Sequence, residues 1–552
     1  MLSDLIKNYL YRKEFIKNNK SVFFNKDKKN SKILVEFNAY HPVHIAISYL
    51  ANVIAKKNKS EINAFYNYSL LTSPIKNTIF NEFKWKIGNF FSLKNFAIYR
   101  SFGVKKIFKP TLSLENEGVS EKYFNKIYSK IKNKEDVLKI KFDGILVGDL
   151  IYDTYLKHYI KPTLDIKSQK FYFLLKNFIL LYLFWKSYFK NNKVSAVIGA
   201  HTPYSFGLIL RMAIQKKIPT YATSSRFVFY LNKDMPYMHG QFKSYAKTFQ
   251  KFDDKIKIKA LSLAKEKLKL RFNGIGGAKV DLISSEKSSF SPKKSKQLIK
   301  SSNKIKVLIF PHDFFDAVHV FGNTLFADFY EWLMYLGKLS EKTNYDWYIK
   351  NRPNYDGKFK IYQPATNKYI NDLIKKFPKI KLLPNTYSHH QIIKEKVDFA
   401  LTCYGSVGVE YPYFNISTIN ASKNNPHINY KFNYHPKTKK EYESLIKNLH
   451  KIKKAKKVNF SKSEIQEYYF MRHIYMDKNW LFDDLQEMIN FVGGYDGQFK
   501  PRLYKYWIKK FSDEKHNRII GSLNRFIDSK ENYLNINHSE KFNKLLNQKI
   551  VI

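Results

Sequence analysis

The sequence has one cysteine and few acidic residues, and each scarcity excludes a class of protein. Cys403 is alone among 552 residues, which excludes a disulfide framework and a cysteine-rich metal site and fits a reducing cytosol. Acidic residues number 46 against 97 Lys and Arg, giving a formal net charge of +51. The lysines recur along the whole chain with Asn, Ile, Tyr and Phe and form no single basic stripe. We therefore expect no nucleic acid partner.

Long apolar runs are also missing. The start, MLSDLIKNYLYRKEFIKNNK, is interrupted by charges every few residues, unlike a secretory signal. The most apolar segment, Phe171–Phe184, contains Lys176 and Asn177 and is shorter than the roughly 20 residues a membrane span needs. A buried helix is predicted there, and a shallow membrane-docking helix is the alternative. The expected location is cytoplasmic, with contact at the inner face of the cytoplasmic membrane as an alternative.

The sequence also lacks the signatures of several enzyme classes. There is no Walker loop, and Gly405-Ser406-Val407-Gly408 lacks the residue that a Gly-x-Ser-x-Gly elbow has between its first glycine and the serine. His389 and His390 are adjacent, a spacing that does not place two ligands on one helical face. We predict that the protein uses no metal and no other cofactor.

Apolar strand candidates alternate with helical segments along most of the chain. This alternation predicts a mostly parallel sheet with helices on both faces. It occurs twice, before and after a stretch rich in Gly, Ser and Lys. The predicted fold class is therefore α/β, with two Rossmann-like lobes facing a cleft and C-terminal helices. The main strand candidates are Lys32–Phe37, Ile140–Val147, Val194–Gly199, Pro219–Ala222, Lys306–Phe310, Asp346–Lys350, Ile380–Leu383, Asp398–Thr402 and Ile416–Ile419.

The composition suggests where these domains begin and end. Residues 1–270 form the predicted first lobe, and residues 271–303 form a linker in which the strand-helix pattern fails. The second lobe is predicted over residues 304–460, and C-terminal helices and a tail over residues 461–552.

Polar side chains follow three strands of the first half. His41 comes after the first strand candidate, Asp149 and Asp153 after the second, and His201 after the third. A general base must be a carboxylate or histidine within hydrogen-bond reach of the proton it accepts. These four residues are the candidate catalytic bases, and the sequence does not rank them.

The segment Asp398–Asn420 is predicted to contain, in close succession, a strand, a turn of small residues, the start of a helix and a second strand. Its turn, Tyr404-Gly405-Ser406-Val407, is predicted to bring backbone N–H groups close to an anion. Glu410 is expected one turn into the helix, where its carboxylate could accept hydrogen bonds from sugar hydroxyls. The alternative is an ordinary turn followed by a solvated glutamate.

Two other strand ends in the second half carry candidate binding groups. His312 and Asp313 follow the strand Lys306–Phe310, where open α/β sheets place binding and catalytic residues. Lys350 and Arg352 end the next strand and could neutralise a diphosphate or phosphodiester.

The second half resembles the capsule polysaccharide biosynthesis proteins, bacterial glycosyltransferases with the GT-B fold. The resemblance covers about Lys304–Ala421 and is carried by the loop Thr402–Gly408, Glu410 and Pro412. In that family a Lys-x-His-Pro motif contacts the donor phosphate. This chain has Lys350-Asn351-Arg352-Pro353, so a cation is kept but the titrating histidine is absent.

The resemblance implies a glycosyltransferase that uses a nucleotide sugar as co-substrate and a glycan or glycolipid as acceptor. The donor-binding residues would be His312, Asp313, Lys350, Arg352, Tyr404, Gly405, Ser406, Val407 and Glu410, and the first lobe would hold the acceptor. Two alternatives stay open: a polyol-phosphate transferase of the same architecture, and a non-catalytic protein that binds polyanions through its positive charge.

Overall fold

The computed structural model describes residues 2–23, 30–66, 79–110, 117–277, 282–287, 289–290, 296–351, 357–455 and 461–542. The chain divides into two compact units. The first comprises Met1–Thr154, Ile166–His239 and Tyr475–Ile552, and the second comprises Tyr155–Asp165 and Gly240–Ile474. The sequence-derived boundaries at 270 and 460 therefore differ from the structural division.

The first unit contains a six-stranded sheet in the order β3-β2-β1-β6-β7-β8. Its pairs are parallel except for β7 and β8, which are antiparallel. Ile33, Leu34 and Val35 on the central strand are fully buried, as expected for a parallel sheet covered on both faces. The strands, including a separate hairpin, are β1 (Ser31–Glu36), β2 (Ser60–Phe65), β3 (Val104–Phe108), β4 (Lys141–Phe142), β5 (Ile145–Leu146), β6 (Val194–Gly199), β7 (Thr220–Ser224) and β8 (Phe227–Leu231).

Helices connect these strands, and local sequence sets their ends. Pro42 occupies the first turn of the helix after β1, a position that needs no backbone N–H donor. Ser168 caps the long apolar helix by accepting the Phe171 N–H at 3.3 Å. The helices are α1 (Leu2–Val22), α2 (His41–Asn58), α3 (Ile79–Phe90), α4 (Asn95–Ser101), α5 (Glu117–Tyr128), α6 (Lys134–Leu138), α7 (Gly148–Tyr159), α8 (Gln169–Asn191) and α9 (Phe206–Gln215).

The second unit contains a five-stranded sheet in the order β13-β12-β11-β14-β15. All four strand pairs are parallel. A separate antiparallel pair precedes it in the chain. The strands are β9 (Ile275–Gly277), β10 (Leu282–Lys287), β11 (Lys306–Ile309), β12 (Asp346–Lys350), β13 (Ile380–Leu383), β14 (Phe399–Thr402) and β15 (Ser417–Asn420).

The remaining helices surround this sheet and complete the C-terminal part of the first unit. Those of the second unit are α10 (Tyr245–Gln250), α11 (Asp254–Phe272), α12 (Phe329–Glu341), α13 (Gln363–Lys376), α14 (His389–Lys394), α15 (Val407–Tyr413), α16 (Lys439–Lys447), α17 (Leu449–Lys454) and α18 (Lys462–Tyr469). A π-helical turn, Phe470–Tyr475, follows. The C-terminal helices are α19 (Leu485–Val492), α20 (Arg502–Lys509) and α21 (Asp513–Ser529).

Two local predictions need correction. Ile140–Val147 is not a strand of the main sheet, because the chain reverses at Asp143 (φ 45°) and Gly144 (φ 84°) and forms the hairpin β4-β5. The predicted linker also contains structure: helix α11 extends to Phe272, and β9 pairs with β10.

The predicted fold class is confirmed. Each unit has a mostly parallel sheet with connecting helices, which is the Rossmann-like arrangement expected twice in one chain. The segment Phe171–Phe184 lies within α8 and is largely buried, as predicted. Within the described parts of the chain, no helix is both long and apolar enough to cross a membrane.

Candidate functional site

Each sheet has one point at which its strand order reverses. In the first unit the chain goes from β1 outward to β2 and β3, and then returns to β6 on the other side of β1. In the second unit the same reversal lies between β11 and β14. Open α/β sheets bind ligands just beyond the carboxyl ends of the strands at such a point. These two places are therefore the candidate sites.

At the reversal point of the second unit, His312 organises the loop after β14. Its Nε2 accepts the backbone N–H groups of Cys403 at 3.2 Å and Tyr404 at 3.3 Å, and lies 3.0 Å from the hydroxyl of Thr402. Because Nε2 acts as acceptor, the ring proton of a neutral His312 is on Nδ1. The imidazole also stacks on the Phe329 ring at 4.6 Å.

The turn expected to cradle an anion is partly occupied by these internal contacts. The Gly405 N–H donates to Thr402 Oγ1 at 3.1 Å, so the N–H groups of residues 403–405 all have partners within the protein. A Cβ on Gly405 would lie 2.9 Å from that hydroxyl, which explains the glycine. Ser406 is exposed, and buried Val407 begins α15. A ligand in this conformation would meet the turn at Ser406.

The other predicted donor-binding residues have different surroundings. Asp313 is half-buried and accepts the Phe315 N–H at 3.0 Å, which stabilises the loop after β11. The Tyr404 hydroxyl donates to the Val318 carbonyl at 3.2 Å. Arg352 lies outside the described residues.

Glu410 is buried and paired rather than solvated or open to a sugar. Its Oε1 accepts Nε of Arg271 at 2.6 Å and also contacts Nη2 of the same guanidinium. Glu410 is 3% exposed and Arg271 7% exposed, so this is a buried ion pair. Hydroxyl recognition by Glu410 stays a prediction, and it would have to coexist with this pair.

Lys350 adds a second buried cation near that pair. It ends β12 and is 3% exposed, and its ammonium group has no hydrogen bond or ion pair to any residue that the structure describes. Burial lowers the pKa of Lys350 to about 8, although the charge of Glu410 acts in the opposite direction. Two cations thus share one carboxylate.

Three polar atoms in the same region have no hydrogen-bond partner within the described chain. They are Nη1 of Arg271, Nδ1 of His389 and the hydroxyl of Tyr411. Burial is the main cause that lowers the pKa of His389, and the charges of Lys350 and Arg271 lower it further. Its imidazole is therefore neutral. Unsatisfied buried polar groups are costly and rare, so each calls for a compensating partner such as a ligand, an ion or a water molecule.

The sequence alone did not indicate Arg472, which stands on the π-helical turn. Its guanidinium carbon lies 5.7 Å from the Phe321 ring, and that ring contacts Tyr404 at 4.9 Å. The described residues include no carboxylate in an ion pair with Arg472, and its buried guanidinium interacts with the side chains of Tyr245 and Tyr468. The loop after β14 thus has an additional cation nearby.

At the reversal point of the first unit, the sequence did not indicate Glu36 either. This carboxylate ends β1 and accepts the Ala200 N–H, just beyond β6, at 2.8 Å. It is 3% exposed, and burial raises its pKa from 4.5 to about 7, despite hydrogen bonds from Ala200 and Asn38 that lower it. A carboxyl group of this kind can accept or release a proton near neutral pH.

Two histidines occupy the start of the helix after β1. His44 lies 2.6 Å from the Tyr504 hydroxyl through Nδ1 and 2.9 Å from the Asn38 carbonyl through Nε2. Burial lowers the pKa of His44 to about 4 and that of His41 to about 2. Both ring nitrogens of His41 are buried and have no hydrogen-bond partner among the described residues. Both histidines are neutral at physiological pH.

The remaining candidate bases lie in different places. Asp149 and Asp153 are on helix α7, not in a loop, and Asp149 forms a buried bidentate pair with Arg211 at 2.5 and 2.6 Å. Proton acceptance by Asp149 would require this pair to open. His201 follows β6 and stacks on Tyr204 at 5.8 Å. Of the four predicted bases, His41 and His201 are therefore the two that follow the reversal strands.

No group of three or more His, Cys, Asp or Glu suited to a metal ion occurs among the residues the structure describes. The residues at both reversal points are suited to different chemistry: proton transfer in the first unit and neutralisation of an anion in the second.

No protein-family model and no curated protein matches this chain. Among solved structures, UDP-GlcNAc 2-epimerase from Neisseria meningitidis is 11% identical, over 79% of this chain and 97% of that chain, with a TM-score of 0.23. A glycosyltransferase from Rickettsia africae is 10% identical over 88% and 100%, with a TM-score of 0.24. MurG from Acinetobacter baumannii is 9% identical over 90% and 100%, with a TM-score of 0.18. Because the sequence identities and TM-scores are this low, no residue role, ligand or reaction is transferred from these proteins to this chain.

Proposed function

We propose that this protein is a glycosyltransferase that transfers a sugar from a nucleotide sugar to a growing surface polysaccharide. The observation that carries the proposal is the excess of buried positive charge beside the reversal point of the second unit. Arg271 and Lys350 are both buried there, and among the residues that the structure describes Glu410 is the one carboxylate that acts on them. An anionic ligand would compensate the remaining charge.

The phosphates of the donor are the proposed anion. When the bond between sugar and phosphate breaks, negative charge grows on the departing nucleotide, and a fixed cation stabilises it without reorganisation. Lys350 would supply that cation. Arg271 would offer its free Nη1, while Glu410 holds the guanidinium in place.

We propose that the first unit binds the glycan or glycolipid acceptor. Glu36 would accept the proton that the acceptor hydroxyl loses. The acceptor hydroxyl must lose its proton as its oxygen bonds to the sugar. Glu36 ends a reversal strand and has a pKa near 7, so its ionised fraction is substantial at neutral pH. His41 and His201 remain candidates to orient the acceptor.

The test of the donor site is nucleotide binding. Calorimetry with UDP, GDP and CMP, and with sugar conjugates of each, should find a ligand for the full chain, and Lys350→Met should weaken that ligand by about tenfold to a hundredfold. Lys381→Met, at an exposed lysine on the neighbouring strand β13, is the matched control and should bind normally. Absence of binding to every nucleotide, or equal binding by the two variants, rejects the proposal.

Product analysis separates the remaining alternatives. A glycosyltransferase forms a product without phosphorus from the donor, whereas a polyol-phosphate transferase leaves a phosphodiester in the product. A polyanion-binding protein forms no product, and its binding would depend on salt but not on Lys350. Either result would replace the proposed activity.

A further inference from the structure

We propose that one face of helix α3 docks this protein on an anionic phospholipid surface. This surface, called the phenylalanine face, comprises Phe80 at 61% exposure, Phe83 at 59% and Phe90 at 82% on the helix, together with Phe91 at 64% and Leu93 at 48% just after its last residue. A cluster of four exposed phenylalanines within twelve residues is unusual on a water-facing surface, where apolar patches mark interaction sites.

The opposite side of α3 is already packed. Trp85 lies 5.0 Å from Tyr66, 5.5 Å from Phe37 and 4.7 Å from Phe96, measured between ring centroids. Gly88 on the same side allows the Phe96 ring to approach closely. At about 100° per residue, the helical positions 80, 83, 87 and 90 lie on the side away from Trp85. The helix is therefore anchored by one apolar face and presents a second.

The charges around this face select the partner. Residues 79–110 contain seven Lys and Arg but only one acidic residue, Glu82. Glu82 is paired with Lys109. Lys84, by contrast, lies over the Phe80 ring at 4.1 Å, and Lys86 and Lys94 are exposed. Aromatic side chains flanked by lysines fit the boundary between acyl chains and anionic headgroups.

The same charges argue against a second copy of this chain as the occupant. Two such faces would bring like-charged lysines together without carboxylates to pair them. Helix α8 contains the apolar segment for which the sequence leaves membrane docking as an alternative. It buries most of its apolar side chains, including Leu174, Leu175 and Phe178. Its exposed phenylalanine, Phe173 at 58%, is a matched control for Phe80 and Phe83.

The experiment measures binding of the full chain to vesicles by sedimentation. Vesicles of phosphatidylglycerol and phosphatidylcholine are compared with pure phosphatidylcholine in about 0.3 M salt, which shortens the reach of the general positive charge. The double variant Phe80→Ser, Phe83→Ser should reduce affinity for the anionic vesicles at least about tenfold, because two apolar contacts are lost. Phe173→Ser should bind like the unmodified protein. Equal affinity for the double variant and Phe173→Ser overturns the proposal.

A second readout follows the side chains themselves. In Phe83→Trp the new indole should enter a less polar environment when anionic vesicles are added, so its emission shifts to shorter wavelength, whereas Phe173→Trp should show no shift. An emission shift in Phe173→Trp alone would move the docking site to α8 and overturn the proposal. So would a dimer, detected by light scattering without vesicles, that the double serine variant abolishes.

Discussion

The two reversal points bury ionisable groups of opposite kinds. In the first unit the groups are a carboxyl and two histidines that burial holds in neutral or nearly neutral forms. In the second unit the groups are two cations and one carboxylate, and burial lowers the pKa of Lys350 only to about 8. At neutral pH the first site can exchange a proton, whereas the second keeps a positive charge.

This difference shows that one type of sheet can support two kinds of chemistry. Both sites lie beyond the carboxyl ends of adjacent parallel strands, so the backbone arrangement is alike. The side chains at these strand ends differ: Glu36 ends the reversal strand β1, whereas Lys350 ends β12, the neighbour of the reversal strand β11. Three predictions test whether these charges have the roles we assign to them, and a fourth tests the packing beside each site.

The largest effect is expected from Glu410→Gln. It leaves Arg271 and Lys350 without a compensating charge, and breaking a buried pair from one side costs about 3–5 kcal/mol of unfolding free energy. Urea unfolding at pH 7 measures this loss. Glu540→Gln, which removes an exposed pair to Arg525 at 2.9 Å, should change stability by less than about 1 kcal/mol. Equal losses would show that the buried pair contributes no more to the free energy of unfolding than the exposed pair does.

The next effect concerns Glu36 and pH. A raised pKa means that the folded state holds a proton that the unfolded state releases, so Glu36 lowers stability as pH rises from 4.5 to about 7. The histidines act in the opposite direction below about 6.5, because their pKa values are lowered. The free energy of unfolding of Glu36→Gln, relative to that of the unmodified protein, should therefore rise by about 3 kcal/mol between pH 4.5 and 7.5.

Urea unfolding of both proteins across that range measures the gain. Glu514→Gln, at an exposed glutamate of the same unit, should leave the pH profile unchanged. A Glu36→Gln profile parallel to that of the unmodified protein would show that the carboxyl ionises normally, and the contrast between the two sites would disappear.

Lys350→Met should raise the free energy of unfolding while it weakens nucleotide binding. Because the pKa of Lys350 falls from 10.5 to about 8 on folding, its charge costs about 2–3 kcal/mol below pH 8, and this cost disappears as pH rises to 10.5. The stability difference from the unmodified protein should therefore shrink between pH 8 and 10.5. A loss of stability at pH 7 would instead identify Lys350 as a structural residue.

The smallest effects concern a glycine that follows each reversal point. A Cβ at Gly408 would lie 2.5 Å from the His427 ring, and one at Gly207 would lie 2.1 Å from the Thr202 carbonyl oxygen. Alanine at either position should lower the free energy of unfolding by about 1–3 kcal/mol. The larger loss is expected at Gly207, because the Thr202 carbonyl belongs to the backbone and cannot rotate away as the His427 side chain can. Thermal unfolding measures both, and Gly118→Ala, which meets nothing within 4 Å, is the control.

Sequence patterns predicted the second sheet better than the first. Asp346–Lys350 and Ile380–Leu383 match their strands at both ends, since each is short and largely apolar, and Pro384 ends the second of them. In the first unit β2 and β3 were not predicted. Ser60–Phe65 alternates small and polar residues with apolar ones, and Val104–Phe108 contains two exposed lysines, so neither reads as a buried strand.

The sites were predictable only where their residues are close in sequence. His312 and the loop after β14 were found because each directly follows a strand. Glu36 was missed because its partner Ala200 is 164 residues away. Arg271 was assigned to a linker, since nothing in the local sequence shows that it pairs with a glutamate 139 residues later. An acidic residue at the end of an apolar strand is the signal that could have identified Glu36.

The discontinuity of the first unit bears on the order in which the chain folds during synthesis. Its sheet is contacted by the far end of the polypeptide: Tyr230 donates its N–H to Asn532 at 2.9 Å, and Trp480 donates to the Ser224 carbonyl at 3.1 Å. The second unit is almost continuous and ends at Ile474. On the ribosome, the middle of the chain can therefore reach its native contacts before the beginning can. Until residues 480–533 have been synthesised, β8 lacks these partners and its edge is open to pairing with other strands.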